Sequence, residues 1–301
     1  MGETTGISWT DSTWNPTVGC AVVSPGCTNC YAMKMAGTRL VETPIYRGLT
    51  KPSKAGPVWT GEVRVNEKAL TLPLRWRKPR RIFVNSMSDL FHENLPDEAI
   101  DRVFAVMALA PQHTFQVLTK RSARMREYAT RLSRSIAPLE KAARDLGYTF
   151  KFEGRPLLPW PIRNVWLGVS CEDQARADER ISDLLATPAA VRFISAEPLL
   201  GPLDLRVWMP DDRYTEQESI SWVIAGGESG PGARPFDVAW ARSLRDQCKA
   251  AGVACFVKQM GANVTGPHAN GINVTTLKFR DRAGGDPSEW PADLRVREFP
   301  A

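Results

Sequence analysis

Histidine is scarce in this chain, at three of 301 residues: His92, His113 and His268. That scarcity argues against hydrolytic metal sites built on several imidazoles. Long apolar runs are missing as well. None approaches the roughly 20 residues that span a bilayer, so no membrane role is expected. Residues Met1 to Thr5 lack the basic and apolar regions of a secretory leader. No G-x-G-x-x-G pattern marks a dinucleotide site, and no composition shift marks a linker. What remains is an ordinary globular composition, 43% hydrophobic and 24% charged, with length enough to bury a substantial core. A cytoplasmic protein is expected. There thiols stay reduced, and gathered cysteines bind metal more often than they pair.

Three of the six cysteines are gathered, at Cys20, Cys27 and Cys30, with spacing C-x6-C-x2-C and no histidine nearby. Thiolates this close in a loop suit a soft metal or an iron–sulfur cluster. Gly19, Pro25 and Gly26 let the backbone fold back so that three sulfurs can face one centre. Four local cysteines would close a structural zinc site, whereas three leave one coordination position open. The plainer alternatives are a zinc site completed by a distant ligand, or buried cysteines with no ligand. Cys248 and Cys255 lie far from the loop and read as small buried residues.

Past residue 80 the chain settles into a rhythm. Apolar runs at 82–84, 115–118, 165–169, 191–194, 222–225 and 254–257 each lead into a polar or glycine-bearing turn. Between them, 99–109, 175–185 and 239–251 have helical periodicity. This alternation predicts an α/β fold with parallel strands and right-handed crossovers. With one more strand just before Cys20 the count is about seven, which fits a partial or full parallel (β/α) barrel better than a doubly wound sheet. The barrel is expected over residues 1–261, with a basic, helical insertion near 121–160. Residues 262–301 are expected to form a C-terminal tail packed on it.

In a parallel barrel, chemistry gathers at the C-terminal strand ends. Here those ends carry Asn85-Ser86-Met87-Ser88-Asp89, Thr119-Lys120-Arg121, Ser170-Cys171-Glu172, Ser195-Ala196-Glu197, Gly226-Gly227-Glu228 and Lys258-Gln259. A single such motif is a helix cap or a turn. Six in succession indicate an active site. His113 precedes a strand and reads as structural, while His92 follows Asp89 and suits either the site or the surface.

The wording Asn-Pro-x-x-Gly-Cys followed by Cys-x-x-Cys-Tyr-Ala resembles the cluster loop of radical S-adenosylmethionine (SAM) enzymes of the spore photoproduct lyase type. The whole chain resembles still more closely a phage and prophage family known for a three-cysteine motif. The first cysteine gap here, six residues, is three longer than the usual radical SAM spacing. The resemblance implies a radical SAM-like partial barrel in which Cys20, Cys27 and Cys30 hold a [4Fe–4S] cluster, with S-adenosyl-L-methionine as second cofactor. It places Ser86, Ser88 and Asp89 at the methionine amino group and Lys120 at its carboxylate. Ser170 and Glu172 fall to the ribose, since paired acceptors suit a diol. Gly226 and Gly227 permit close approach to adenine or substrate. Glu197 serves ribose or substrate, Glu228 stands with it as a candidate catalytic group, and Cys171 is a candidate hydrogen-atom donor.

The net charge of +6 favours a polyanionic partner. Arg75, Trp76, Arg77, Lys78 and Arg81 interleave an aromatic among cations, as a nucleic-acid grip does, and Arg121 begins a second basic stretch that suits a solvated helix face equally well. The expected function is reductive cleavage of SAM to a 5′-deoxyadenosyl radical that acts on a nucleic-acid base or nucleotide, in DNA modification or repair. The expected partners are that substrate, a reductant of the flavodoxin or ferredoxin type, and a separate protein of the kind that accompanies the phage family. The rivals are a zinc-binding nucleic-acid module without catalysis, and a barrel enzyme for phosphorylated small molecules with residues 226–230 as phosphate cradle.

Overall fold

The structure is a computed structural model that describes residues 5–150, 159–210, 219–267 and 274–300. His268 and part of the expected insertion lie outside the described residues. Seven strands form the main sheet: β1 (Ser12–Trp14), β2 (Arg81–Val84), β3 (Thr114–Thr119), β4 (Val165–Ser170), β5 (Val191–Ala196), β6 (Trp222–Gly226) and β7 (Ala254–Gln259). They neighbour one another in chain order, β1 through β7, without reversal. A doubly wound sheet reverses its order at a switch point. The unreversed order, with parallel pairing at β1–β2, β2–β3, β5–β6 and β6–β7, is that of a partial parallel (β/α) barrel. The α/β class predicted from the spacing is therefore the one found.

Six strands coincide with the apolar runs. The strand expected just before Cys20 lies earlier, at Ser12–Trp14, and pairs with Ile82–Val84. Trp14 anchors it: the ring is fully buried, tilts against Phe115 at 5.6 Å and donates Nε1–H to Ala69 O at 2.8 Å. The pair next to the cysteine, Thr17–Val18, turns away to bond antiparallel with Arg64–Val65.

Six helices matter here: α1 (Tyr31–Ala36), α2 (Asp97–Leu109), α3 (Ser122–Arg134), α4 (Ala137–Asp145), α5 (Gln174–Leu185) and α6 (Val238–Ala251). Helix α1 ends four residues short of the expected Leu40. Helix α6 is capped at both ends, by the Asp237 carboxylate accepting from Ala239 N and by left-handed Gly252.

The chain divides into two compact units. Unit 1 comprises Met1–Gly168 with Ala186–Ala190, and unit 2 comprises Val169–Leu185 with Val191–Ala301. In unit 1, α2 packs on α4 through Ala105, Ala142 and Ala143, and Phe91, Phe104 and Tyr128 form a tilted aromatic cluster. In unit 2, the last residues run along β7. Val257 N donates to Val296 O and Glu298 N to Cys255 O, both at 2.9 Å. Arg297 lies over the rings of Phe256 and Trp290. No helix among the described residues is long and apolar enough to cross a membrane.

Candidate functional site

In unit 1 the cysteine loop is fastened to the strand ends by side chains that precede it. Asn15 Oδ1 accepts from Met87 N at 3.0 Å and from Ser86 Oγ at 3.2 Å. Asn85 Oδ1 accepts from Thr17 N at 3.3 Å, and Ser88 Oγ meets Thr17 Oγ1 at 2.7 Å and donates to Thr17 O at 3.0 Å. Asn85 holds a left-handed backbone, φ 62°, which asparagine tolerates better than other side-chain-bearing residues. Gly19 is required for the turn into Cys20. Its φ is +90°, and a Cβ there would lie 2.2 Å from Glu62 O.

Ser86 and Ser88, expected at a cofactor amino group, are thus engaged with Asn15 and Thr17. Asp89 is buried and fully committed as well. Its carboxylate accepts from Thr119 Oγ1 at 2.6 Å, Lys120 N at 3.0 Å, Phe91 N at 3.0 Å and Arg121 Nη1 at 3.0 Å. Burial would raise its pKa, but Arg121 and these bonds prevail and hold it below the usual carboxylate range. Arg121, expected on a nucleic-acid surface, is instead buried, with Nε on Glu93 Oε1 at 2.9 Å. Burial opposes its charge, yet Asp89, Cys20 and Glu93 raise its pKa further. Lys120 lies half-buried at the end of β3, its backbone spent on Asp89.

The three thiols are free and half-buried. Cys20 and Cys30 pack against the cluster of Val18, Met33, Tyr46 and Leu49. Cys20 Sγ accepts from Arg121 Nη1 at 3.8 Å, and Cys27 Sγ lies 3.9 Å from Ser24 Oγ. Burial pushes the Cys20 thiol up to about 12, Asp89 adds to the rise, and Arg121 opposes it. Between Cys20 and Cys30 lies one short 3-10 turn, Pro25–Cys27. Around it Val22, Val23 and Tyr31 are exposed, and the Tyr31 hydroxyl donates to Ser86 O at 2.7 Å. Among the described residues no group of three or more His, Cys, Asp or Glu side chains is gathered to hold a metal ion.

The basic strip lies before β2, at the strand end opposite Ser86 and Asp89. Arg75, Arg77 and Lys78 are exposed. Arg80 lies over the Trp76 ring at 5.2 Å, and Arg81 is paired with Asp11 at 2.9 Å. His113 is buried with a ring nitrogen 3.1 Å from Pro73 O, a structural placement. His92 is buried beside Asp89, and its Nδ1 accepts from Asn94 N. Burial and the Arg121 charge lower its pKa.

Unit 2 carries its own strand-end groups. Glu172 is fully buried and paired with Arg180 at 3.1 Å, and Arg180 also donates to Ser170 O at 2.9 Å. Cys171 is fully buried, its thiol 3.9 Å from Arg176 O. Glu197 pairs with Lys258 at 3.0 Å. Glu228 is clasped by Arg234, whose N and Nε donate to Oε2 at 2.9 and 3.1 Å. The close approach that Gly227 permits is taken by the chain itself, since a Cβ there would lie 2.3 Å from Met260 O. At Gly226 it would lie 2.8 Å from Glu197 Oε1.

The sequence motifs include Asn15 and Asn85 without giving either a role, omit Glu93, and place Arg121 at a strand end and in a basic stretch rather than beside Cys20. The cue was present: two asparagines, one before the loop and one at a strand end, are the residues able to bond backbone and side chain together across a gap.

Fold and site together define an α/β partial-barrel protein with a three-thiol loop pinned to the C-terminal ends of β1, β2 and β3. The chain belongs to a family of proteins of unknown function (DUF5131), whose family model matches residues 4–283. No curated protein and no solved structure matches it.

Proposed function

We propose that this protein is a radical SAM-type enzyme, with Cys20, Cys27 and Cys30 as the ligands of an iron–sulfur cluster and a nucleic-acid base or nucleotide as substrate. The observation that carries the reading is the fastening of the thiol loop to three parallel strand ends through Asn15, Thr17 and Cys20. Active sites of parallel barrels form at such ends. The chemistry of the donor set suits the group: three free thiols within one loop, one of them beside a buried guanidinium.

When bound, such a cluster supplies one electron, taken from a flavodoxin- or ferredoxin-type reductant, that breaks a carbon–sulfur bond of SAM to give methionine and a 5′-deoxyadenosyl radical. The chain's part is to hold and exclude. Ser86, Ser88, Asn15 and Asp89 fix the loop. Lys120, at the end of β3, is the proposed partner of the SAM carboxylate. The exposed cations Arg75, Arg77 and Lys78 lie at the opposite strand end of unit 1. They would hold the phosphate backbone of a polyanion and leave base recognition to other groups. DNA modification or repair is the fitting class of reaction, and a separate protein partner fits the same reading.

The test is anaerobic reconstitution followed by dithionite reduction with SAM. Wild type is expected to release 5′-deoxyadenosine slowly without its true substrate. Lys120→Ala is expected to keep its iron and lose SAM affinity by roughly tenfold to a thousandfold, the range for an unpaired charge. Stoichiometric zinc with no iron, or iron with no 5′-deoxyadenosine, would overturn the proposal.

A further inference from the structure

Among the described residues of unit 1, Arg121 is the one whose guanidinium touches both the strand-end carboxylates and the cysteine loop. Nη1 donates to Asp89 Oδ2 at 3.0 Å and to Cys20 Sγ at 3.8 Å, while Nε donates to Glu93 Oε1 at 2.9 Å. The backbone beneath is held too, since Arg121 N donates to Thr119 Oγ1, which itself donates to Asp89 Oδ1. The side chain is 6% exposed, and its Nη2 is buried with no hydrogen-bond partner among the described residues. A buried guanidinium with an unspent donor is costly unless something satisfies it. Asp89 and Glu93 alone would account for a structural ion pair. They do not account for Nη1 reaching a thiol.

We infer that Arg121 is the positioning residue of the thiol centre: it orients the Cys20 sulfur and offsets the negative charge of the metal group bound there. The inference rests on the reading of the loop as a metal centre. N–H donors to ligand sulfurs raise the reduction potential of iron–sulfur groups, because the reduced form carries more negative charge. Groups behind the ligands also set metal affinity, typically by tenfold to a hundredfold. Asp89 has a defined part in this arrangement. It holds Arg121 in place and carries the charge that makes burying a cation tolerable. Lysine cannot substitute fully, because a single ammonium lacks the fork that reaches carboxylate and sulfur at once.

The test compares wild type, Arg121→Lys, Glu93→Gln and the neutral pair Arg121→Gln/Asp89→Asn, the last included because Arg121→Gln alone strands a buried Asp89. Each protein is reconstituted anaerobically, checked for folding by thermal melting, titrated for its midpoint potential by electron paramagnetic resonance, and timed for iron loss to a chelator. Arg121→Lys is expected to fold, to lose iron about tenfold faster and to shift its potential negative. Glu93→Gln, which keeps an acceptor for Nε and removes only an exposed charge, should change both far less. A folded Arg121→Lys with unchanged potential and unchanged iron loss overturns the inference while leaving the cluster reading standing. Should wild type take up no iron, cobalt(II) alone is the probe. Thiolate-to-cobalt absorption that weakens in Arg121→Lys upholds the inference and removes the radical chemistry, and absence of any such absorption overturns both.

Discussion

Each unit buries an arginine–carboxylate pair just past a strand end, and the two pairs are built for different work. In unit 2 Arg180 meets Glu172, with side-chain exposures of 2% and 0%. Arg180 also donates to a backbone carbonyl, Ser170 O. In unit 1 Arg121 meets Asp89, 6% and 8% exposed, but spreads to exposed Glu93 and to the Cys20 thiol. The first pair is turned inward on its own fold, whereas the second ends on the Cys20 thiol. Burial and charge alone would rank them alike. Their contacts separate them.

The sharpest way to break the comparison is to remove one partner from each pair. Asp89→Ala and Arg180→Ala should each cost about 3–5 kcal/mol, since both strand a buried charge. Urea unfolding checks this. Only Asp89→Ala should also weaken metal retention in the fraction that folds. Equal loss of iron in folded Arg180→Ala would erase the distinction.

Next in size are changes that test how each region is fastened. Gly227→Ala in unit 2 should destabilise by about 1–3 kcal/mol through overpacking, because its Cβ would meet the Met260 backbone at 2.3 Å. In unit 1, Asn15→Ala strands the buried Met87 N–H, at about 1–3 kcal/mol, and should loosen the loop as well. Thermal melting measures both, and limited proteolysis between Cys20 and Cys30 should accelerate only in Asn15→Ala.

A smaller effect is expected from pH. Asp89 has a folded pKa below its unfolded value, so its contribution to stability is fully present above the unfolded pKa of about 3.9 and is lost as pH falls through the lower folded value. Asp89→Asn should flatten acid unfolding over that window, as followed by circular dichroism. A wild-type acid limb at this window that persists unchanged in Asp89→Asn would assign the effect to other carboxylates.

Much of this was legible in the residues. Buried parallel strands are short apolar runs, so β2 to β7 stood out before their polar turns. β1 did not, because three residues carry too little pattern and its identity depends on where Trp14 packs. The thiol loop was legible because cysteine spacing is local. The partners that hold it were not, since Asn15 to Met87 and Asp89 to Arg121 are tertiary contacts that no local pattern encodes. Arg121 shows the difficulty most clearly. In sequence it opens a basic stretch, and only the fold turns its side chain inward while Arg75, Arg77 and Lys78 stay exposed.

The central claim is that the loop of Cys20, Cys27 and Cys30 holds an iron–sulfur cluster. Its most direct test is iron and sulfide content after anaerobic purification, with the visible spectrum, for wild type and for single alanine variants at Cys20, Cys27, Cys30 and Cys248. About four irons and matching sulfide per chain are expected in wild type, with strong loss in each of the three loop variants. Cys248→Ala, whose thiol is buried in unit 2, should keep both iron and colour. Iron that survives loss of the loop cysteines, or its absence from wild type alongside bound zinc, would contradict the claim.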